Sequence, residues 1–326
     1  MERTLITVPI AIPMVALIGP HDGNLRVVEA AFPSVNITVR GNEITLRGPH
    51  VDCAKLENLF AELLVVIRSG NHLTIDAVTR SIAMLDHQPA DHPAEVLSLN
   101  VLSNRGRTIR PKTANQKRYV DAIEEHIITF GIGPAGTGKT YLAMAMAISA
   151  LQSKRVNRII LTRPAVEAGE HLGFLPGTLS EKIDPYLRPL FDALHDMIDI
   201  ETLPRLMQSG VIEVAPLAYM RGRSLNDAFI ILDEAQNTTP EQMKMFLTRL
   251  GFGSKMVITG DVTQIDLPNG QHSGLRVVRD IFGDIEDIAF LELTAEDVVR
   301  HRLISDIVKA YESFEEQRQS LRPIRQ

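Results

Sequence analysis

At 326 residues the chain is longer than one compact core usually takes, so it predicts two domains or one large domain with an appendage. Hydrophobic residues at 44% and charged residues at 23% exclude a disordered chain, and a net charge of −6 excludes a surface coated in non-specific nucleic-acid contacts while leaving room for a local basic groove. A single cysteine, Cys53, excludes an internal disulfide, fits a reducing cytoplasm and reads as a small buried apolar residue.

The stretch Val8–Ile18 is apolar but broken by Pro9 and Pro13, without the basic leader or cleavage site of a signal peptide. No uncharged apolar run approaches the roughly 20 residues of a spanning helix, so no membrane role is expected. Asn24–Phe32 has helical spacing, with Leu25, Val28 and Phe32 on one face. Asn36–Arg40 and Glu43–Arg47 alternate around Gly41-Asn42, the signature of a two-residue hairpin turn. Asp52–Arg68 and Thr74–Leu85 are predicted helices, completing a small α+β domain over residues 1–85. Residues 86–96, with two prolines and no periodicity, read as a linker. The pairs Asp86-His87 and Asp91-His92 within it match no metal-ligand spacing.

From residue 97 to 314 a second domain is expected. Val96–Leu102 and Thr108–Arg110 look like strands flanking a turn. Short apolar strands then alternate with helices: Ile127–Gly133, Arg158–Thr162, Ile212–Pro216, Phe229–Leu232, Lys255–Thr259 and Ile288–Leu293. Such strands between helices predict an α/β fold with a parallel sheet covered on both faces. A last helix is expected over Val298–Phe314, followed by a basic tail, residues 315–326.

Gly133-Pro134-Ala135-Gly136-Thr137-Gly138-Lys139-Thr140 matches G-x-x-x-x-G-K-[ST] in full, between an apolar strand and the alanine-rich helix opened by Tyr141. Glycines let backbone N–H groups curl around phosphates, and the helix N-terminus adds its dipole. This predicts a nucleoside triphosphate, ATP, bound by residues 133–141. Lys139 would reach the β- and γ-phosphates and the Thr140 hydroxyl would hold Mg²⁺. Downstream, Phe229–Leu232 runs into Asp233-Glu234-Ala235-Gln236, placing two acids at the carboxyl edge of the sheet. Asp233 is the candidate Mg²⁺ ligand and Glu234 the candidate general base. A third strand ends in Gly260-Asp261, with Gln264 three residues on as a candidate γ-phosphate sensor; the alternative is an ordinary strand-to-loop turn.

Together these residues carry a resemblance. The stretch Arg110–Tyr311 resembles the PhoH family of bacterial P-loop ATPases, through Phe130–Thr140, Leu161–Gly177, Pro216–Asn237 and Met243–Pro268. That family's core is similar to the first motor domain of superfamily 1 helicases, implying a RecA-like fold. By implication Gln116 reads adenine, Asp233 and Glu234 form the second helicase motif, Gln264 the third, and Arg300 delivers a γ-phosphate arginine. No counterpart of a second motor domain follows, so strand separation by a lone subunit is not expected. A transition-state arginine would then come from a neighbouring subunit of a head-to-tail ring, a homo-hexamer by analogy with other ring ATPases, with Arg221 and Arg223 as candidates.

Residues Gly19–Leu64 read helix, strand, turn, strand, helix, which resembles part of a KH-type RNA-binding domain, although Gly19-Pro20-His21-Asp22-Gly23 is one residue longer than that module's Gly-x-x-Gly clamp. Asn104–Val120 holds Arg105, Arg107, Arg110, Lys112, Lys117 and Arg118 with no acid, either a phosphate-backbone track or a solvated face. The resemblance implies an ATPase that binds or remodels single-stranded RNA, in RNA processing or ribosome maturation. The alternatives are a nucleotide-gated regulatory scaffold linked to phosphate stress and a small-molecule kinase. A glutamate poised beside Mg²⁺ suits the activation of water and disfavours the kinase.

Overall fold

The structure is a computed structural model, and it describes residues 2–87, 92–104, 107–164, 179–268, 271–283 and 285–299. The N-terminal part opens with strand β1 (Glu2–Thr7), followed by α1 (Met14–Ile18), α2 (Gly23–Ala31), β2 (Asn36–Arg40), β3 (Glu43–Gly48), α3 (His50–Arg68) and α4 (Ile75–His87). The strands form an antiparallel sheet in the order β1-β3-β2. Arg40 pairs with Glu43 across Gly41-Asn42, and Gly41 takes the left-handed φ of +61° that a two-residue turn demands. Ile44 and Leu46 of β3 face Leu56, Leu59 and Leu63 of α3 in a core that also buries Cys53. The N-terminal alternation thus supplies a third strand that was not assigned from the sequence.

The expected linker is partly a folded element. Helix α5 (Pro93–Ser98) packs Ala94 and Leu97 against Val66 of α3. Pro93 is its first residue, a position where a missing N–H costs nothing, and Glu62 of α3 accepts a hydrogen bond from the Ala94 N–H at 2.8 Å. The strand expected over Val96–Leu102 is therefore corrected: it divides between α5 and a short hairpin of β4 (Leu102–Asn104) and β5 (Arg107–Ile109). Arg110 ties the two halves of the chain, donating to Asn71 Oδ1 at 2.6 Å and to the Leu97 carbonyl at 3.0 Å.

Beyond it come α6 (Ala114–Glu125), β6 (Ile128–Ile132), α7 (Lys139–Gln152), β7 (Arg158–Arg163), α8 (Leu179–Met197), α9 (Leu203–Gln208), β8 (Ile212–Pro216), β9 (Ala228–Leu232), α10 (Pro240–Leu247), β10 (Lys255–Gly260), α11 (Gly274–Phe282) and β11 (Ile288–Glu292). All six strands β6–β11 join one parallel sheet in the order β11-β6-β10-β9-β7-β8. Side chains alternate across it with period two. Ile159, Leu161, Phe229, Ile231 and Val257 pack under α6, α7 and α8. Phe130, Ile160, Ile230, Leu232 and Ile258 pack under α10 and α11. This is the doubly covered α/β architecture that the apolar strands predict.

Two details fix the central strand under the phosphate loop. A side chain at Gly131 would lie 2.6 Å from the ring of the fully buried Tyr119, so only glycine lets α6 close on β6. Lys255 at the start of β10 donates to the carbonyls of Ile123, Glu124 and His126, satisfying the exposed C-terminal end of α6. The last predicted helix begins at Val298, but Val298 and Val299 are not helical; its remaining residues, the basic tail and Arg300 lie outside the described residues. Among the described residues no helix is long and apolar enough to cross a membrane.

Candidate nucleotide-binding site

The C-terminal ends of β6, β9 and β10 adjoin, and the loops leaving them meet at one pocket. Ala135, Gly136, Lys139, Thr140, Asp233, Glu234, Asp261 and Gln264 line it, in a volume of about 260 Å³. Gly136 and Gly138 have φ of +85° and +80°, which side chains disfavour, and a Cβ on Gly133 would lie 2.3 Å from the Leu293 carbonyl. The shape of the loop therefore depends on its glycines.

Lys139 Nζ folds back into this loop, donating to the carbonyls of Gly133 at 2.7 Å and Pro134 at 2.8 Å. Burial pushes its ammonium below the usual lysine value, while Asp261, Asp233 and Glu234 favour its charge. Thr140 Oγ1 donates to Asp233 Oδ1 at 2.7 Å, and Thr259 Oγ1 donates to the same oxygen at 2.8 Å. A hydroxyl and a carboxylate converging on one point are the hard oxygen donors that Mg²⁺ selects, so the residues fit that ion.

Glu234 has left-handed backbone (φ 53°, ψ 40°), uncommon for a non-glycine residue, and its side chain lies at the pocket wall. Both of its carboxylate oxygens are engaged: Oε1 accepts from Arg163 at 2.6 Å and Oε2 from Gln236 at 2.5 Å. Gln236 in turn accepts from the Asp261 N–H at 3.0 Å, joining the end of β9 to the end of β10. Gln264 is exposed at the same pocket.

Gln116 is buried and braces the loop. Its Nε2 donates to the Thr137 carbonyl at 2.9 Å and the Asp297 carbonyl at 3.3 Å, and its Oε1 accepts from the Lys112 N–H at 2.7 Å. The amide edge expected to read adenine is thus committed to the protein itself. A second pocket lined by Ile109, Arg110, Lys112, Gln116, Tyr141 and Val299 adjoins the phosphate loop at Gly136 and Gly138.

Arg221 and Arg223 sit away from this pocket, in the loop leaving the far edge strand β8. Arg223 makes a two-pronged ion pair with Glu213 of its own chain at 2.6 and 2.7 Å, which holds the Glu213 carboxyl below the usual range. Arg221 is exposed and without an ion-pair partner among the described residues. The basic stretch is also less open than its composition suggests. Arg110 is tied down as above, Lys117 pairs with Asp121 at 2.7 Å, and Arg118 donates to Asn115 at 2.9 Å, whereas Lys112 is exposed with no ion pair among the described residues; Arg105 lies outside the described residues.

Two residues here had no role assigned from the sequence. Asp261 is buried at the pocket, with Oδ2 lacking a hydrogen-bond partner among the described residues. Arg163 reaches the acidic pair from β7. Both lie within runs that carry the family resemblance, but their contacts at the site depend on which strands lie side by side.

The profile of the PhoH family, described as PhoH-like protein, matches residues 108–312. A PhoH-like protein of Mycobacterium tuberculosis is 66% identical over 314 residues, covering 96% of this chain and 89% of that one. A PhoH-like protein of Bacillus subtilis is 51% identical over 91% of this chain and 93% of its own length. Protein PhoH of Escherichia coli is 45% identical over 198 residues, 60% of this chain and 56% of that one. Among solved structures, the SWI2/SNF2 ATPase core of Sulfolobus solfataricus in complex with dsDNA overlaps 55% of this chain and 43% of that one, at TM-score 0.32 and 14% identity. With more than half its length matched by the family profile and near-complete relatives well above 30% identity, the chain belongs to the PhoH family.

Proposed function

We propose that the protein hydrolyses ATP at this pocket and couples the cycle to single-stranded RNA. The observation that carries the hydrolytic reading is the convergence of Lys139, Thr140, Asp233, Glu234 and Gln264 on one volume at the carboxyl edge of a parallel sheet. In this reading the loop N–H groups and Lys139 hold the phosphates. Thr140 and Asp233 hold Mg²⁺, which neutralises charge on the β- and γ-phosphoryl oxygens when bound. Glu234 takes a proton from the attacking water, Gln264 contacts the γ-phosphate, and Arg300 supplies a further positive charge. Gln116 keeps the loop in shape.

The RNA link rests on the helix-strand-turn-strand-helix order of the N-terminal unit, residues 1–85, and on its tie through Arg110 to the ATPase half. Its α1–α2 turn carries Asp22 where a phosphate clamp calls for a neutral glycine, so contact with RNA falls on other parts of the unit. A cytoplasmic ring, six subunits by analogy, with Arg221 of one subunit completing the site of the next, accounts for an exposed arginine at the sheet edge far from the phosphate loop. RNA processing or ribosome maturation is the setting this implies. The test is steady-state ATP turnover with single-stranded RNA, with single-stranded DNA and with neither. Stimulation by RNA is expected; equal turnover in all three favours the nucleotide-gated scaffold instead.

A further inference from the structure

Asp261 is a buried acid beside a pocket shaped for phosphates. The parallel register sets Gly260 of β10 against Ile132 of β6, and Ile258 against Leu232 of β9. Asp261 therefore leaves the sheet next to Gly133, where the phosphate loop begins, and Thr259 stands level with Asp233. The Gly133 N–H donates to the Gly260 carbonyl at 3.1 Å, and Thr259 Oγ1 donates to Asp233 Oδ1 at 2.8 Å. These contacts hold Asp261 between the loop and the Thr140–Asp233 pair. Its two carboxylate oxygens differ. Oδ1 is fixed by Thr263, accepting from the backbone N–H at 2.9 Å and from Oγ1 at 2.6 Å. Oδ2 has no hydrogen-bond partner among the described residues, although the residue is only 5% exposed and lines the pocket.

A buried acceptor is ordinarily satisfied, so this oxygen calls for a donor that comes with the ligand. The triphosphate itself is not that donor, because its negative oxygens repel a carboxylate. A cation with its water shell is. Mg²⁺ keeps several of its waters when it binds a protein, and each is a hydrogen-bond donor. Among the described residues no three acids or histidines gather to ligate a metal directly, so contact through water is the form that fits.

We propose that Asp261 is an outer-shell ligand of the nucleotide's Mg²⁺, its Oδ2 accepting a hydrogen bond from a metal-bound water, alongside Thr140 and Asp233. This rests on the nucleotide-binding reading given above and adds a third residue to its metal site. It also makes binding conditional on the metal. With Mg²⁺ in place Asp261 favours the complex, and without it the carboxylate repels the phosphates. The residue thereby selects the metal-loaded nucleotide over the bare one. Lys139 is the competing partner, since Asp261 is the strongest of the three acids that favour its charge. An action through Lys139 does not depend on the metal, and that difference separates the two.

The test is equilibrium titration of the full chain with a non-hydrolysable ATP analogue, once in Mg²⁺ and once in EDTA. Wild type is compared with Asp261→Asn, which keeps the shape and removes the charge. Affinity in Mg²⁺ is expected to fall about tenfold, while affinity in EDTA holds or rises. A loss of the same size in both buffers overturns the proposal, because it marks Asp261 as a support of the loop or of Lys139. Unchanged affinity in Mg²⁺ overturns it as well. Thr263→Val is the second variant: it keeps the charge and removes one of the two donors that orient the carboxylate. It should lower affinity in Mg²⁺ by a smaller factor and leave affinity in EDTA unchanged. If Asp261→Asn does not fold, this variant decides, and wild-type affinity in Mg²⁺ then counts against the proposal. A wild type whose affinity ignores Mg²⁺ is a different failure, which removes the metal assignment of Thr140 and Asp233 together with that of Asp261.

Discussion

Arg221 and Arg223 stand two residues apart and behave differently. Arg223 is committed to Glu213, whereas Arg221 is exposed at the sheet edge. Replacing Arg223 with alanine is therefore expected to cost stability, and replacing Arg221 to cost turnover with the melting temperature unchanged. The Glu213 pair also has a pH signature. Its carboxyl is held below the ordinary value of 4.5 by the Arg223 hydrogen bonds, so its stabilising contribution is complete above that value. The contribution is lost as the pH falls through the depressed folded value. Denaturation midpoints of Glu213→Gln and wild type should differ at neutral pH and converge at the acid end; a gap independent of pH contradicts this. Gln116 offers a sharper distinction. As a brace of the Thr137 carbonyl it should, on conversion to alanine, weaken ATP and GTP alike in nucleotide titrations; a loss confined to ATP restores the adenine-reading role.

At the scale of elements, the parallel sheet was legible because its strands are short, mainly apolar runs bounded by glycine, proline or charged residues, and each was found within a residue or two of its expected bounds. The phosphate loop and the acidic pair were legible for the same reason: they are consecutive in sequence. Helix α5 was hidden because Pro93 reads as a breaker, and only burial against Val66 turns it into a helix start. Arg163 and the Gln236–Asp261 link stayed hidden because strand order, not strand content, brings them to Glu234. Element-scale packing also yields a stability prediction. Gly131→Ala forces a methyl into the Tyr119 ring and should cost about 1–3 kcal/mol, read as a lower denaturant midpoint. Lys255→Met strands the α6 carbonyls and should cost about 1–3 kcal/mol. Because α6 also carries Gln116, nucleotide affinity should fall with it; unchanged affinity contradicts the bracing role of that helix.

For the whole molecule, the phosphate loop and Arg221 lie toward opposite edges of the sheet, since β6 and β8 are separated by β10, β9 and β7. In the ring proposed above, a head-to-tail contact would place one beside the other in the next subunit. Mixing Lys139→Ala with Arg221→Ala subunits, each inactive alone, should recover part of the ATPase activity; no recovery, with a monomer by light scattering in ATP, contradicts the ring. The central claim, that this chain hydrolyses ATP with Glu234 as its base, meets its most direct test in Glu234→Gln. That variant should bind ATP as wild type does in equilibrium titration and lose turnover by roughly 10²-fold or more in a phosphate-release assay. Turnover near the wild-type rate with ATP bound normally would contradict it.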